Sequence, residues 1–146
     1  MPLSKNHPYF FTDNIQFRQK AVIMHPYKNM FLIMKRPEDD LVRPGTWDLP
    51  GGNVAFGEQH REALRREIDE ETRLTVIDLK EIMVSTHYDV EKKIYYLVIG
   101  SFCRAVSERV TLSDEHTDYV WIHKDEFLTM DPTWSYQARF CHFQRG

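Results

Sequence analysis

The stretch Gly51 to Leu74, GGNVAFGEQHREALRREIDEETRL, is the part of this chain whose reading decides its fold. At about 100° per residue, the positions after Glu58 sort onto a helix that runs to about Thr72. Ala63, Leu64, Glu67, Ile68 and Glu71 fall on one contiguous arc, with Glu70 at its border. Arg61, Glu62, Arg65 and Asp69 occupy the opposite side. Three carboxylates at i, i+3 and i+4, Glu67, Glu70 and Glu71, therefore point toward or beside the face that should be buried.

A solvated helix laced with ion pairs explains part of this pattern. Glu62–Arg66, Arg65–Asp69 and Arg66–Glu70 are all four apart. That reading covers Glu62 and Asp69 but not acids clustered on the apolar side, where carboxylates repel and resist desolvation. Something positive should meet them: Arg66, or hard divalent cations that take oxygen ligands. Just upstream, Pro50-Gly51-Gly52 ends a short strand at Trp47-Asp48-Leu49, and Gly57 opens the turn into the helix. Glycines there let backbone approach a ligand and offer carbonyls to a cation, although a Gly-Gly pair alone is usually only a turn.

Outward from this core, Gln19–His25 and Met30–Lys35 are apolar, partly β-branched runs flanking a His-Pro-Tyr-Lys-Asn break, which predicts a hairpin or paired strands. Pro37–Gly45 reads as loop. Glu81–Tyr88, Ile94–Arg104 and Tyr119–His123 read as strands, Lys124–Thr129 as a helical turn and Thr133–Phe143 as a C-terminal helix. Residues 1 to about 15 read as an arm or short edge element. These elements predict an α/β protein, a mixed β-sheet with helices packed on it.

The chain has 146 residues, which fits one domain over 1–146 that needs no metal or disulfide to fold. Lys and Arg total 19 against 22 Asp and Glu, so the net charge is -3 with His neutral. That balance argues against a nucleic-acid binder held by electrostatics. It leaves room for an enzyme that grips a nucleotide's phosphates through cations. Apolar runs such as Tyr95–Ile99 are far too short to span a bilayer, so no membrane partner is expected. The start, MPLSKNHPYFFTDN, is unlike a signal peptide. Cys103 and Cys141 form no CxxC pair or disulfide framework and are expected as buried or bystander thiols, so the reduced cytoplasm is the simplest location.

The whole 51–74 stretch resembles the Nudix box, G-x5-E-x7-R-E-U-x-E-E-x-G-U, with U a bulky apolar residue. Gly52, Glu58, Arg66, Glu67, Ile68, Glu70, Glu71 and Leu74 match, eight of the nine fixed positions over 23 residues. WDLPGG before it and DEHTDYVWI after it are also similar to segments of many Nudix hydrolases. The departure is Arg73, where the family has Gly. A glycine there would close the helix in a left-handed conformation that costs other residues about 1 kcal/mol. Arg73 therefore calls the helix exit and loop shape into question, not the acids.

The resemblance implies a Nudix fold, an α/β/α sandwich around a mixed sheet, and a hydrolase that cleaves the phosphoanhydride of a nucleoside diphosphate linked to another group. It implies Mg2+ or Mn2+ as cofactor, a small nucleotide as substrate, and attack by metal-activated water at phosphorus. By resemblance, Glu67, Glu70 and Glu71 hold metal, with the Gly51 carbonyl as a further ligand. Arg66 orients these glutamates through a salt bridge, and Glu58 has a similar structural role. Glu115, on a loop before the strand at Trp121, has family counterparts that serve as metal ligand or general base. His116 is its rival for the base, because GDP-mannose mannosyl hydrolases use a histidine at the corresponding place. That branch lacks one box glutamate and cleaves at a glycosidic carbon, whereas every box glutamate is present here.

Arg36 is a candidate for phosphate, which Arg matches bidentately, and Trp47 is a candidate for stacking a base, as are Phe17, Tyr88 and Tyr95. The resemblance thus predicts a pyrophosphohydrolase acting on nucleoside triphosphates or nucleotide sugars. The alternatives are a GDP-sugar glycosyl hydrolase releasing GDP and free sugar, or a Nudix-fold nucleotide-binding module without turnover. Dimers are frequent in the family, but no homodimer interface is legible in the sequence.

Overall fold

A computed structural model describes residues 14–130. Almost all of the expected N-terminal arm, the expected helix Thr133–Phe143 and Cys141 lie outside the described residues. Within them the chain runs β1 (Asn14–Met24), β2 (Phe31–Lys35), β3 (Trp47–Asp48), β4 (Gly51–Asn53), α1 (His60–Thr72), β5 (Val76–Asp89), β6 (Ile94–Ala105), β7 (Asp118–Ile122) and α2 (Lys124–Met130).

The strands form one mixed sheet. β1 runs parallel to β6 over its whole length, from Asn14 against Ile94 to Met24 against Arg104. Every other pairing is antiparallel: β5 on β6, β7 on β2, β3 on β2 and β4 on β1. Strand alternation splits the core in two. Ala21, Ile23, Leu32, Met34 and Cys103 face α1 and meet its Leu64 and Ile68. Val22, Phe31, Ile33 and Ile122 face the other way and meet Leu49 and Phe127 of α2. Helices on opposite faces of a mixed sheet give the α/β/α sandwich that the sequence predicts.

The hairpin forms, but only at its tip. β1 and β2 pair at Met24 and Phe31, and His25 N–H donates to the Met30 carbonyl at 2.8 Å. Below that point the two strands part, and residues 47–53 wedge between them, with β3 on Met34–Lys35 and β4 on Arg18–Lys20. This wedge carries Gly51 and Gly52 to the start of α1. The sequence does not show β4 as a strand because a Gly-Gly pair has no side chains to signal one. β5 starts at Val76, before the expected Glu81, and its register slips between Ile77 and Lys80 and between Glu81 and Met83. Those bulges break the alternation that would have revealed its start.

Candidate functional site

Helix α1 buries Ala63, Leu64, Ile68, Glu71 and Thr72. Ala63, Leu64 and Ile68 are the apolar members of the arc, and Glu71 is its deepest acid, only 5% exposed. Its carboxylate accepts a hydrogen bond from the Gly51 N–H at 3.4 Å. Burial pushes the Glu71 pKa up to about 8; Lys20 and the Gly51 N–H pull against it, while the charges of Glu67 and Glu115 add to the rise. Burial likewise raises Glu67, against Arg66, with Glu70 and Glu115 adding to the effect. Glu67 thus feels the charges of Glu70 and Glu115, and Glu71 those of Glu67 and Glu115, which gathers the four acids into one cluster. Of the three helix acids Glu70 is the open one, 56% exposed along its side chain.

Arg66 ties these acids to the turn before the helix. Its Nε and Nη2 donate to the two carboxylate oxygens of Glu58, both at 2.9 Å. Nη1 reaches Glu67 at 3.1 Å and Glu70 at 3.4 Å. Glu58 in turn accepts from Ala55 N–H at 2.8 Å, and these bonds hold its carboxyl below the usual range, Arg66 foremost. Of the three i,i+4 pairs that the sequence offers, Arg66–Glu70 is formed, and Arg66 makes its bidentate contact with Glu58.

The two glycines serve different contacts. A Cβ on Gly52 would fall 2.6 Å from a carboxylate oxygen of Glu67, so the missing side chain is the space in which that carboxyl sits. A Cβ on Gly51 would overlap the Gln19 carbonyl on β1, where backbone meets backbone. At the other end of α1, Arg73 adopts the left-handed conformation, φ 60° and ψ 18°, and its N–H donates to the Asp69 carbonyl at 2.8 Å. The helix exit is therefore the one a glycine would give. The expectation that Arg73 disturbs it is corrected: the geometry is kept, with backbone strain in its place.

A second charged group lies beside the carboxylates, and sequence reasoning missed it. Asp48, 1% exposed, accepts two bonds from Lys20 Nζ at 3.0 Å, one from Arg36 Nη1 at 3.3 Å, and has Arg43 Nη2 at 3.6 Å. Burial works to raise its pKa, but Lys20, Arg43 and Arg36 together hold it below the usual carboxylate range. Lys20 sits in an apolar run and Asp48 between Trp47 and Leu49, so each reads alone as strand decoration. Only the fold joins them.

Arg36 is spent on Asp40 as well, at 2.9 Å. Trp47 pairs opposite Lys35 and packs half-buried against the core on the α2 face. His116 is half-buried beside this charged group: burial lowers its pKa, with Asp48 acting against that and Lys20 with it. Its Nδ1 is buried without a hydrogen-bond partner. Glu115 is exposed on the loop, its N–H 3.4 Å from Ser113 Oγ. The fold thus brings Glu115 into the field of the helix acids and sets His116 by Asp48 and Lys20.

An all-oxygen set of carboxylates around a glycine cradle suits a hard divalent cation. Among the described residues no three His, Cys, Asp or Glu side chains converge as a preformed cage. Glu67 and Glu70 instead lean on Arg66, and like charges in a partly desolvated cluster close together only around a cation.

A NUDIX domain model matches residues 17–142. The nucleoside triphosphatase NudI of Salmonella arizonae is 33% identical over 78% of this chain and 89% of its own length. Escherichia coli NudI is 32% identical with the same coverage. The crystal structure of a MutT protein from Methanosarcina mazei Go1 superposes with a TM-score of 0.69 at 29% identity, covering 92% of this chain and 96% of that one. The NUDIX domain of Shewanella oneidensis NrtR, solved with ADP ribose, shares the fold with a TM-score of 0.73 at 14% identity, covering 93% of this chain and 91% of that one. Fold and site together define an acid-anhydride hydrolase of the α/β/α sandwich type, built on a carboxylate helix beside the short Gly-Gly strand β4. The chain belongs to the Nudix hydrolase family, and is a pyrophosphohydrolase of that family. The family generally uses divalent metal ions. Among the described residues no helix is long and apolar enough to cross a membrane.

Proposed function

We propose that this protein hydrolyses nucleoside triphosphates at phosphorus, using Mg2+ or Mn2+ held by Glu67, Glu70, Glu71, Glu115 and the Gly51 carbonyl. The observation that carries the reading is the buried Glu71 beside Glu67 in its Gly52 cradle, an acidic site that attracts a polyphosphate only when cations bridge the two. The kinship with NudI favours a triphosphate over a nucleotide sugar.

When bound, the cations supply neutralisation of phosphate charge and activation of water. Arg66 keeps the carboxylates of Glu67 and Glu70 turned toward one side while anchoring the turn at Glu58. Glu115, exposed and in the field of the helix acids, takes the proton from the attacking water. His116, with burial favouring its neutral form and its Nδ1 unpartnered, is the other group that can accept it. Arg36, the proposed phosphate-binding cation, is tied to Asp40 and Asp48, and Trp47 pairs with Lys35, the strand residue before Arg36.

The test is product analysis on a panel of nucleoside triphosphates and nucleotide sugars with Mg2+ and Mn2+. Nucleoside monophosphate and pyrophosphate from a triphosphate are the expected products. GDP plus hexose from a GDP-sugar would replace this reading with the glycosyl-hydrolase one and give His116 the base role. Glu70→Gln should cost more than the roughly 10–100-fold typical of residues that merely support metal ligands. Unchanged turnover in that variant would overturn the metal assignment.

A further inference from the structure

Gly51 is placed by very little structure of its own. β3 has two residues and β4 three, too few backbone bonds to hold the 47–53 segment in one register. On the β4 side, Gly51 and Gly52 stand opposite Lys20 and Gln19, and Ala21 N–H donates to the Pro50 carbonyl at 2.8 Å. On the β3 side the clamp is a side chain. Lys20 Nζ donates to both oxygens of Asp48 at 3.0 Å and to the Leu49 carbonyl at 3.1 Å. All three ammonium hydrogens are spent on the two residues that precede Pro50-Gly51.

A mostly buried lysine and a fully buried aspartate are expensive in such a place, and an apolar pair of similar volume would serve packing as well or better. What an apolar pair lacks is direction: the three bonds fix where the Asp48–Leu49 backbone lies relative to β1, and Gly51 follows two residues later.

We propose that Lys20, acting through Asp48 and the Leu49 carbonyl, is a positioning residue for the Gly51 carbonyl and so for divalent-cation binding. The inference rests on the proposed metal site, which it extends to a residue outside the Nudix box. The bonds of Lys20 go to Asp48 and the Leu49 carbonyl and to none of the proposed ligands, and its charge reaches Glu71 only through space, an effect that Asp48→Asn leaves in place. Lys20 sets the register of the backbone that supplies an oxygen ligand.

The experiment measures Mn2+ affinity from the free-Mn2+ electron paramagnetic resonance signal for wild type, Lys20→Met, Asp48→Asn, the double variant and Glu70→Gln, with circular dichroism melts alongside. Lys20→Met leaves Asp48 paired with Arg36 and Arg43, so the fold has a charge partner to fall back on. Lys20→Met and Asp48→Asn should each weaken Mn2+ binding about tenfold, within the range for groups that support metal ligands. The double variant should be no weaker than about either one alone, because the pair acts as a unit. Mn2+ affinity within about twofold of wild type in a folded Lys20→Met protein overturns the inference, as do additive effects of the two substitutions. If Lys20→Met fails to fold, the same criterion applies to Asp48→Asn. Wild type that does not bind Mn2+, or Glu70→Gln that binds it equally well, overturns the metal site itself, a separate failure.

Discussion

Arg73 holds a left-handed backbone, φ 60° and ψ 18°, at the position where the Nudix box carries glycine. Its side chain contributes an exposed contact to Asp69 at 3.7 Å, a pair worth little. Arg73→Gly should therefore stabilise the protein by roughly 0.5–1 kcal/mol: relief of about 1–2 kcal/mol of left-handed strain, partly offset by the greater freedom of glycine in the unfolded chain. Urea unfolding of the two proteins checks this, and a loss of stability would mean that Arg73 makes contacts that outweigh its strain. Glu67, Glu70 and Glu71 are legible at this scale because their i, i+3, i+4 spacing sets them toward or beside one face of a helix, and Arg66 and Glu58 are legible through the resemblance to the Nudix box. Lys20 and Asp48 are not, since each gains meaning only from a partner 28 positions away.

At the scale of elements, α1 and β4 show how a pattern can be readable in one and silent in its neighbour. The helix declares itself through a 3.6-residue period that separates Leu64 and Ile68 from Arg65 and Asp69. β4 has no such signal, yet it sets the glycines. Gly51→Ala pushes a methyl group into the Gln19 carbonyl, backbone on backbone, and should cost more than about 2 kcal/mol. Gly52→Ala meets only the end of the Glu67 side chain, which can swing away. It should fold nearly as well as wild type and lose metal-dependent activity. Thermal melts and nucleotide turnover on both variants check the contrast; equal damage to stability would show that the Glu67 carboxyl is rigidly held.

For the whole molecule, Glu71 couples the site to global stability. Its pKa is about 8 in the fold against an ordinary value of 4.5, so the folded chain binds a proton that the unfolded chain has released. The stability this group contributes is full below about pH 4.5, declines as pH rises toward 8, and is lost above that. In the absence of divalent cations, melting temperature should fall between pH 6 and pH 8.5 more steeply in wild type than in Glu71→Gln. Mg2+ at the alkaline end should restore it, because a cation takes over from the proton at that carboxylate. A wild-type slope no steeper than that of Glu71→Gln, measured by calorimetry in chelator, would contradict the burial assigned to this carboxylate. The same coupling gives the net charge of -3 a local meaning. Once Glu71 is ionised, Glu67, Glu70, Glu71 and Glu115 carry four negative charges, which two divalent cations would neutralise.

The sequence by itself determined the helix, the order of its acids, the arginine among them and the family they belong to. All of these are set by spacing within some twenty residues, and helical periodicity is a local property. The tertiary structure decided what distant residues do to one another. It opened the β1–β2 hairpin so that Gly51 and Gly52 could wedge beneath α1. It buried Glu71 while leaving Glu70 exposed, and it placed Lys20 on Asp48. Desolvation and strand register depend on what packs from elsewhere in the chain, and no local pattern carries that information.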